Sequence, residues 1–104
     1  MIEDIEKHFK KWYPKEGCGI IAIINNEKTW IPCDNIADND EDFVIDPTEY
    51  LKIKKRYPIY AIVHSHPDKS CEPTETDIAY CKALRINYWI FSYPGMELYQ
   101  LSYE

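Results

Sequence analysis

Two imidazoles and two carboxylates stand at spacings that can build a metal site: His64-Ser65-His66-Pro67, then Asp77 downstream and Glu16 far upstream. Residues i and i+2 of an extended strand project to one face, so His64 and His66 can present both rings to a single point. Asp77 adds an anionic oxygen. Two neutral imidazoles and one carboxylate suit zinc and leave a fourth position for water, an arrangement typical of catalytic sites. Hydrolysis then needs a proton carrier outside the ligand set. Glu16, just ahead of the apolar run Cys18-Gly19-Ile20-Ile21-Ala22-Ile23-Ile24, is the candidate.

Each of these residues also has an ordinary role. Thr74-x-x-Asp77 is a capping box, in which Thr74 caps a helix and the aspartate reaches back to a backbone N–H. At about 100° per residue, however, Asp77 falls on the stripe of Cys81 and Leu84 that should pack on a sheet. A carboxylate turned inward calls for a cation. Glu16 taken alone is an ordinary solvated glutamate before a strand, and Ser65, by alternation, points away from the histidine face and serves sheet packing.

Seven residues separate His66 from Thr74 and two separate Thr74 from Asp77. With Glu16 and His64-Ser65-His66-Pro67, this resembles the JAMM signature of the JAB/MPN metallopeptidases: a glutamate, then His-(Ser/Thr)-His, seven residues, Ser, two residues, Asp. Glu16-Gly17-Cys18-Gly19, Ile31-Pro32-Cys33-Asp34-Asn35-Ile36-Ala37, Phe43-Val44-Ile45-Asp46-Pro47 and Trp89-Ile90-Phe91-Ser92-Tyr93-Pro94-Gly95 look like the phage tail-assembly branch of that family. The resemblance implies an α/β fold of the JAB/MPN type, a mixed sheet flanked by helices and related to cytidine deaminases. It also implies Zn2+ held by His64, His66 and Asp77, with Glu16 as general base and Thr74, where the family normally has serine, as oxyanion donor. The implied activity is hydrolysis of an amide bond in a cell-wall peptide in a phage-tail context. Removal of a ubiquitin-like protein and a non-catalytic tail-assembly role are the alternatives. An NlpC/P60-type peptidase domain often follows this domain in the branch and is an expected partner. A zinc deaminase would need His-x-Glu and Pro-Cys-x-x-Cys, and neither is present.

The elements that must position these residues are legible from periodicity. Ile2, Ile5, Phe9 and Trp12 form one stripe of a helix over residues 1–12, with His8 off the stripe as a surface residue. Residues 18–25 and 28–33 read as a hairpin turning at Asn25-Asn26-Glu27, and residues 34–42 as an acidic loop without the glycine and terminal glutamate of an EF-hand. Phe43-Val44-Ile45 reads as a short strand, followed by a helix capped by Asp46-Pro47, with Tyr50, Leu51 and Lys54 as its inner edge and Tyr57 beyond. Residues 59–63 form the strand that delivers the histidines, and Pro67 ends its pairing. A helix over residues 74–84 and a final hairpin, 88–92 with 96–101 around Pro94-Gly95, complete the order.

At 104 residues the chain is expected to be one domain, 1–104. The net charge of −6, with one short basic run at Lys52-Ile53-Lys54-Lys55-Arg56, argues against a nucleic-acid partner. The N-terminus has no secretory pattern and no apolar stretch reaches membrane-spanning length, so cytoplasmic synthesis is expected, with virion tail association implied by the resemblance. Cys18, Cys33, Cys71 and Cys81 contain no Cys-x-x-Cys pair and read as reduced thiols, Cys18 and Cys81 as small core residues.

Overall fold

The computed structural model describes residues 1–104. Its elements are α1 (Ile2–Trp12), β1 (Cys18–Ile24), β2 (Glu27–Cys33), α2 (Pro47–Arg56), β3 (Ile59–Pro67), α3 (Glu75–Leu84), β4 (Asn87–Tyr93) and β5 (Leu98–Leu101). The five strands form one sheet in the order β2-β1-β3-β4-β5. Only β3 and β4 pair in parallel; the other neighbours are antiparallel. The expected mixed α/β sheet is therefore the one that forms.

Local chemistry explains the connections. Asn25 and Asn26 both adopt positive φ, 52° and 65°, which matches the strand twist across a two-residue hairpin loop. Asp46 caps α2 by accepting from Thr48 N at 2.8 Å, with Pro47 at the first helical position. A parallel pair cannot be closed by a tight turn, so β3 reaches β4 through α3. That crossover carries Asp77 back over the sheet.

Strand alternation divides the core between two faces. Ile21, Val63 and Phe91 meet Ile5 and Phe9 of α1 on one side. Ile62 and Ile90 pack with Cys81, Ile86 and Tyr88 on the other, beside Cys18, Ile20, Ala22 and Cys33. Ile5 and Phe9 are fully buried, and at about 1.5–3 kcal/mol per side chain they are enough to dock α1. Gly17 permits that docking: a Cβ there would lie 2.7 Å from Phe9 Cδ1. The four cysteines are free thiols, with Cys18 and Cys81 buried as expected.

Several expectations are corrected. β3 does not end at Val63; it runs through both histidines to Pro67, which pairs with Tyr93. Pro67 lacks an N–H, but Asp68 N donates to Tyr93 O at 2.8 Å and carries the ladder past it. Residues 43–45 form only a single bridge, Asn35 with Ile45, because the Asn35 side chain takes the Val44 N–H that a strand partner would use. In α2 the inner edge is Tyr50, Ile53 and Tyr57, while Leu51 is 51% exposed. Leu84 is likewise exposed at 43%, leaving Asp77 and Cys81 as the buried pair of α3. His8 is half-buried, its Nε2 2.9 Å from Cys33 O and its ring against Trp12 and Trp30. The final hairpin pairs Asn87–Tyr93 with Leu98–Leu101, and Met96 lies in the turn at φ 58°.

Candidate metal centre

β3 lies between β1 and β4, so its histidines are enclosed on both edges of the strand. His64 is fully buried and His66 is 7% exposed. Both rings share the sheet face on which α3 packs, and Asp77, in the first turn of α3, meets them there. Asp77 Oδ1 lies 3.1 Å from His64 Nε2, and Oδ2 lies 3.2 Å from His66 Nε2. The capping box also forms: Thr74 Oγ1 accepts from Asp77 N at 3.1 Å and Asp77 Oδ2 accepts from Thr74 N at 2.9 Å. The ordinary reading and the site reading of Asp77 hold together, because the cap fixes the carboxylate that faces the histidines.

Glu16 arrives from the other side of the sheet order, immediately before β1. Gly17 N donates to Ser65 Oγ at 2.9 Å and Ser65 N donates to Gly17 O at 3.0 Å. Ser65 does point away from the histidine face, yet it does more than pack: it pins the backbone beside Glu16. The glutamate is 7% exposed, unlike the solvated residue its local sequence suggests. One ligand atom each from Glu16, His64 and His66 lie within 4.8 Å of one another. The group can hold a metal ion.

Burial pushes the Glu16 carboxyl up to about 8, against the lowering influence of His66. Burial also pushes the His64 imidazole down, with Asp77 opposing. For His66 burial lowers the pKa, but Asp77 and the Ser70 carbonyl outweigh it and raise the value. Burial acts to raise Asp77, yet the two imidazoles beside it hold its carboxyl well below the usual carboxylate range.

The donor set fits a divalent cation. His64 Nδ1 and Nε2 are both buried without a hydrogen-bond partner, since the 3.1 Å approach of Asp77 lies outside hydrogen-bond alignment. Leaving such atoms unsatisfied costs about 1–3 kcal/mol each. His66 Nδ1 lies 2.9 Å from Ser70 O, and in the neutral ring donation to that carbonyl leaves the Nε2 lone pair facing the Asp77 carboxylate, where a bound cation would displace the proton that the metal-free ring favours. A ring lone pair, a second ring lone pair and an anionic oxygen at one place match what a metal requires.

Three neighbours were invisible to sequence reasoning. Phe43 stacks on His64, with ring centroids 4.3 Å apart and planes at 21°, while Tyr88 meets the same ring edge-on at 5.7 Å. Asn35 is 6% exposed within an otherwise acidic, solvated loop. In the sequence Asn35 stood only within the stretch 31–37 that resembles the tail-assembly branch and in the acidic loop over residues 34–42, neither of which predicts burial.

A mixed sheet that gathers two strand histidines, a helix aspartate and a buried glutamate defines an α/β domain with a candidate metal site. Residues 1–102 match the family described as prokaryotic homologs of the JAB domain, and the chain belongs to that family. It is 36% identical over 98 residues to the tail tip assembly protein K of Escherichia phage N15, covering 93% of this chain and 40% of that protein. The chain thus spans well under half of that relative. It is 29% identical over 107 residues to a probable TtuB-protein conjugate cleaving protease of Thermus thermophilus, covering 97% of this chain and 72% of that one. Among solved structures, a protein from Desulfitobacterium hafniense has a TM-score of 0.71 at 23% identity, covering 95% of this chain and 75% of its own. A JAB1/MPN domain protein from Archaeoglobus fulgidus has a TM-score of 0.64 at 20% identity, covering 98% and 82%. These two likenesses establish the fold. No helix is long and apolar enough to cross a membrane.

Proposed function

We propose that this chain is a zinc-dependent metallopeptidase or isopeptidase, with His64, His66 and Asp77 holding the ion, Glu16 moving the proton and Thr74 stabilising the oxyanion. The observation that carries this reading is the meeting of four buried groups, Glu16, His64, His66 and Asp77, from three separate parts of the chain, with the two imidazole Nε2 atoms turned to the Asp77 carboxylate. Zinc, when bound, lowers the pKa of water from about 16 to about 7 and polarises a carbonyl. The Glu16 carboxylate accepts the proton of the attacking water and returns it to the leaving amine as the C–N bond breaks. A cation close by favours the ionised form of this buried group, offsetting the burial that pushes it up to about 8. Thr74 is an exposed residue whose Oγ1 accepts from Asp77 N, which leaves its O–H to donate to a developing oxyanion.

Likeness to the phage tail tip assembly protein supports a tail-associated setting, and a cell-wall peptide is the substrate we propose for it. Likeness to the TtuB-conjugate protease supports a second reading, cleavage of an isopeptide bond to a small protein modifier. Metal analysis of the parent, His64→Ala and Asp77→Ala tests ligation: near-stoichiometric zinc in the parent should vanish in both variants, and unchanged zinc in either overturns the assignment. Glu16→Gln should keep zinc and lose turnover. Loss of the metal there would instead make Glu16 a ligand, as its place within 4.8 Å of both imidazoles allows. Turnover of peptidoglycan fragments against ubiquitin-like fusions separates the two substrate readings, and turnover of neither leaves a non-catalytic module.

A further inference from the structure

The loop between β2 and α2 is acidic and largely exposed, yet it folds around one buried amide. A primary amide offers two N–H donors and a carbonyl with two lone pairs. Asn35 uses all four. Its Nδ2 donates to Glu16 O at 2.9 Å and to Asp42 O at 3.0 Å, while its Oδ1 accepts from Ala37 N and Val44 N, each at 3.0 Å. Ile36 N donates to Val44 O at 2.9 Å and closes the same loop.

Two consequences follow for the metal centre. The carbonyl of Glu16 is tied to this loop on one side, while Gly17 is tied to Ser65 on the other, so the residue that carries the proton is fixed from both flanks. The second consequence concerns Phe43, which lies between Asp42 and Val44, the two residues whose backbone Asn35 holds. A metal-binding histidine normally donates its second ring N–H to a carbonyl or carboxylate that sets its orientation. His66 has such a partner in Ser70 O, but His64 Nδ1 has none. The His64 ring is oriented instead by the face of Phe43 and the edge of Tyr88.

We infer that Asn35 is a positioning residue of the metal centre: its side-chain amide locks the 35–45 loop so that Phe43 seats the His64 ring and the Glu16 backbone is held against the site. This rests on the metal reading above only for its consequence, since the seating of His64 is a property of the protein itself. Asn35→Asp keeps the acceptors for Ala37 N and Val44 N, loses both donors, and sets a carboxylate against the Glu16 and Asp42 carbonyls. Asn39→Ala is the control, because Asn39 bonds only within the exposed part of the loop.

The direct readout is the NMR shift of the His64 ring protons in metal-free, full-length protein. A ring stacked at 4.3 Å moves them upfield, and Phe43→Ala defines the value without that ring. Asn35→Asp should shift them towards the Phe43→Ala position and weaken zinc binding roughly 10- to 100-fold in a chelator competition, with Asn39→Ala matching the parent on both counts. Parent-like His64 shifts in a folded Asn35→Asp protein overturn the proposal, as does parent-like zinc affinity. Should Asn35→Asp not fold, Phe43→Ala decides, because unchanged zinc affinity there removes the role assigned to the loop. A parent that binds no zinc would sink the metal reading alone, and the ring shifts would still decide the positioning claim.

Discussion

Replacing Glu16 by glutamine should stabilise the metal-free protein at alkaline pH, even though the same change should abolish turnover. The carboxyl is 7% exposed, and burial pushes it from an ordinary 4.5 up to about 8. The native state therefore keeps a proton that the unfolded chain loses between these two values, and parent stability falls as pH rises through that window. At about 1.4 kcal/mol for each tenfold change, the gap corresponds to about 5 kcal/mol, and relaxation and water entry bring it to about 2–5 kcal/mol. Below about 4.5 the glutamate is neutral in both states, so parent and Glu16→Gln should be of similar stability. Above about 8 the variant should be more stable by the full amount. The assay is urea denaturation of chelator-treated protein across this range, with the difference between the two proteins plotted against pH so that titrating groups uncoupled from Glu16 cancel and the residual curve reports Glu16 together with its neighbour His66. A difference that stays flat would mean that the Glu16 carboxyl is solvated, and the reasoning from burial would fail. Saturating zinc should shrink the difference, because a neighbouring cation favours the charged carboxylate.

Asp77 titrates with the opposite sign: its carboxyl is held below the usual range, so it contributes stability above the unfolded value that is lost as pH falls, and acid melts of metal-free Asp77→Asn should show a weaker acid dependence than the parent. Thr74→Ala removes the α3 cap and should cost about 0.5–2 kcal/mol in urea melts together with roughly 100- to 1,000-fold in kcat. Thr74→Ser keeps the hydroxyl for both jobs and should match the parent in stability and turnover; a large loss in Thr74→Ser would refute the hydroxyl's role. Gly17→Ala would drive a Cβ to 2.7 Å from Phe9 Cδ1 and 3.2 Å from Phe9 Cα, displacing α1 at a cost of about 1–3 kcal/mol by thermal melting.

Residue order alone determined the parts whose signal is local: the stripe of α1, the apolar run of β1, the asparagine turn, the Asp46-Pro47 start of α2 and the Thr74-Asp77 box are all written within one element. The spacing of Glu16, His64, His66, Thr74 and Asp77 crosses three separate parts of the chain and was legible only as a resemblance to the family's signature. What only the folded chain decided is how those parts meet. Residues 18 and 64 become cross-strand partners, Gly17 bonds Ser65, and Asn35 bonds Glu16 across 19 positions, none of which leaves a periodic trace. Burial of Glu16 follows from these contacts, because a residue ahead of a strand is enclosed only when another segment closes over it. The Phe43 segment was misread as a strand for the same reason: a distant side chain claimed the backbone N–H on which a ladder would depend.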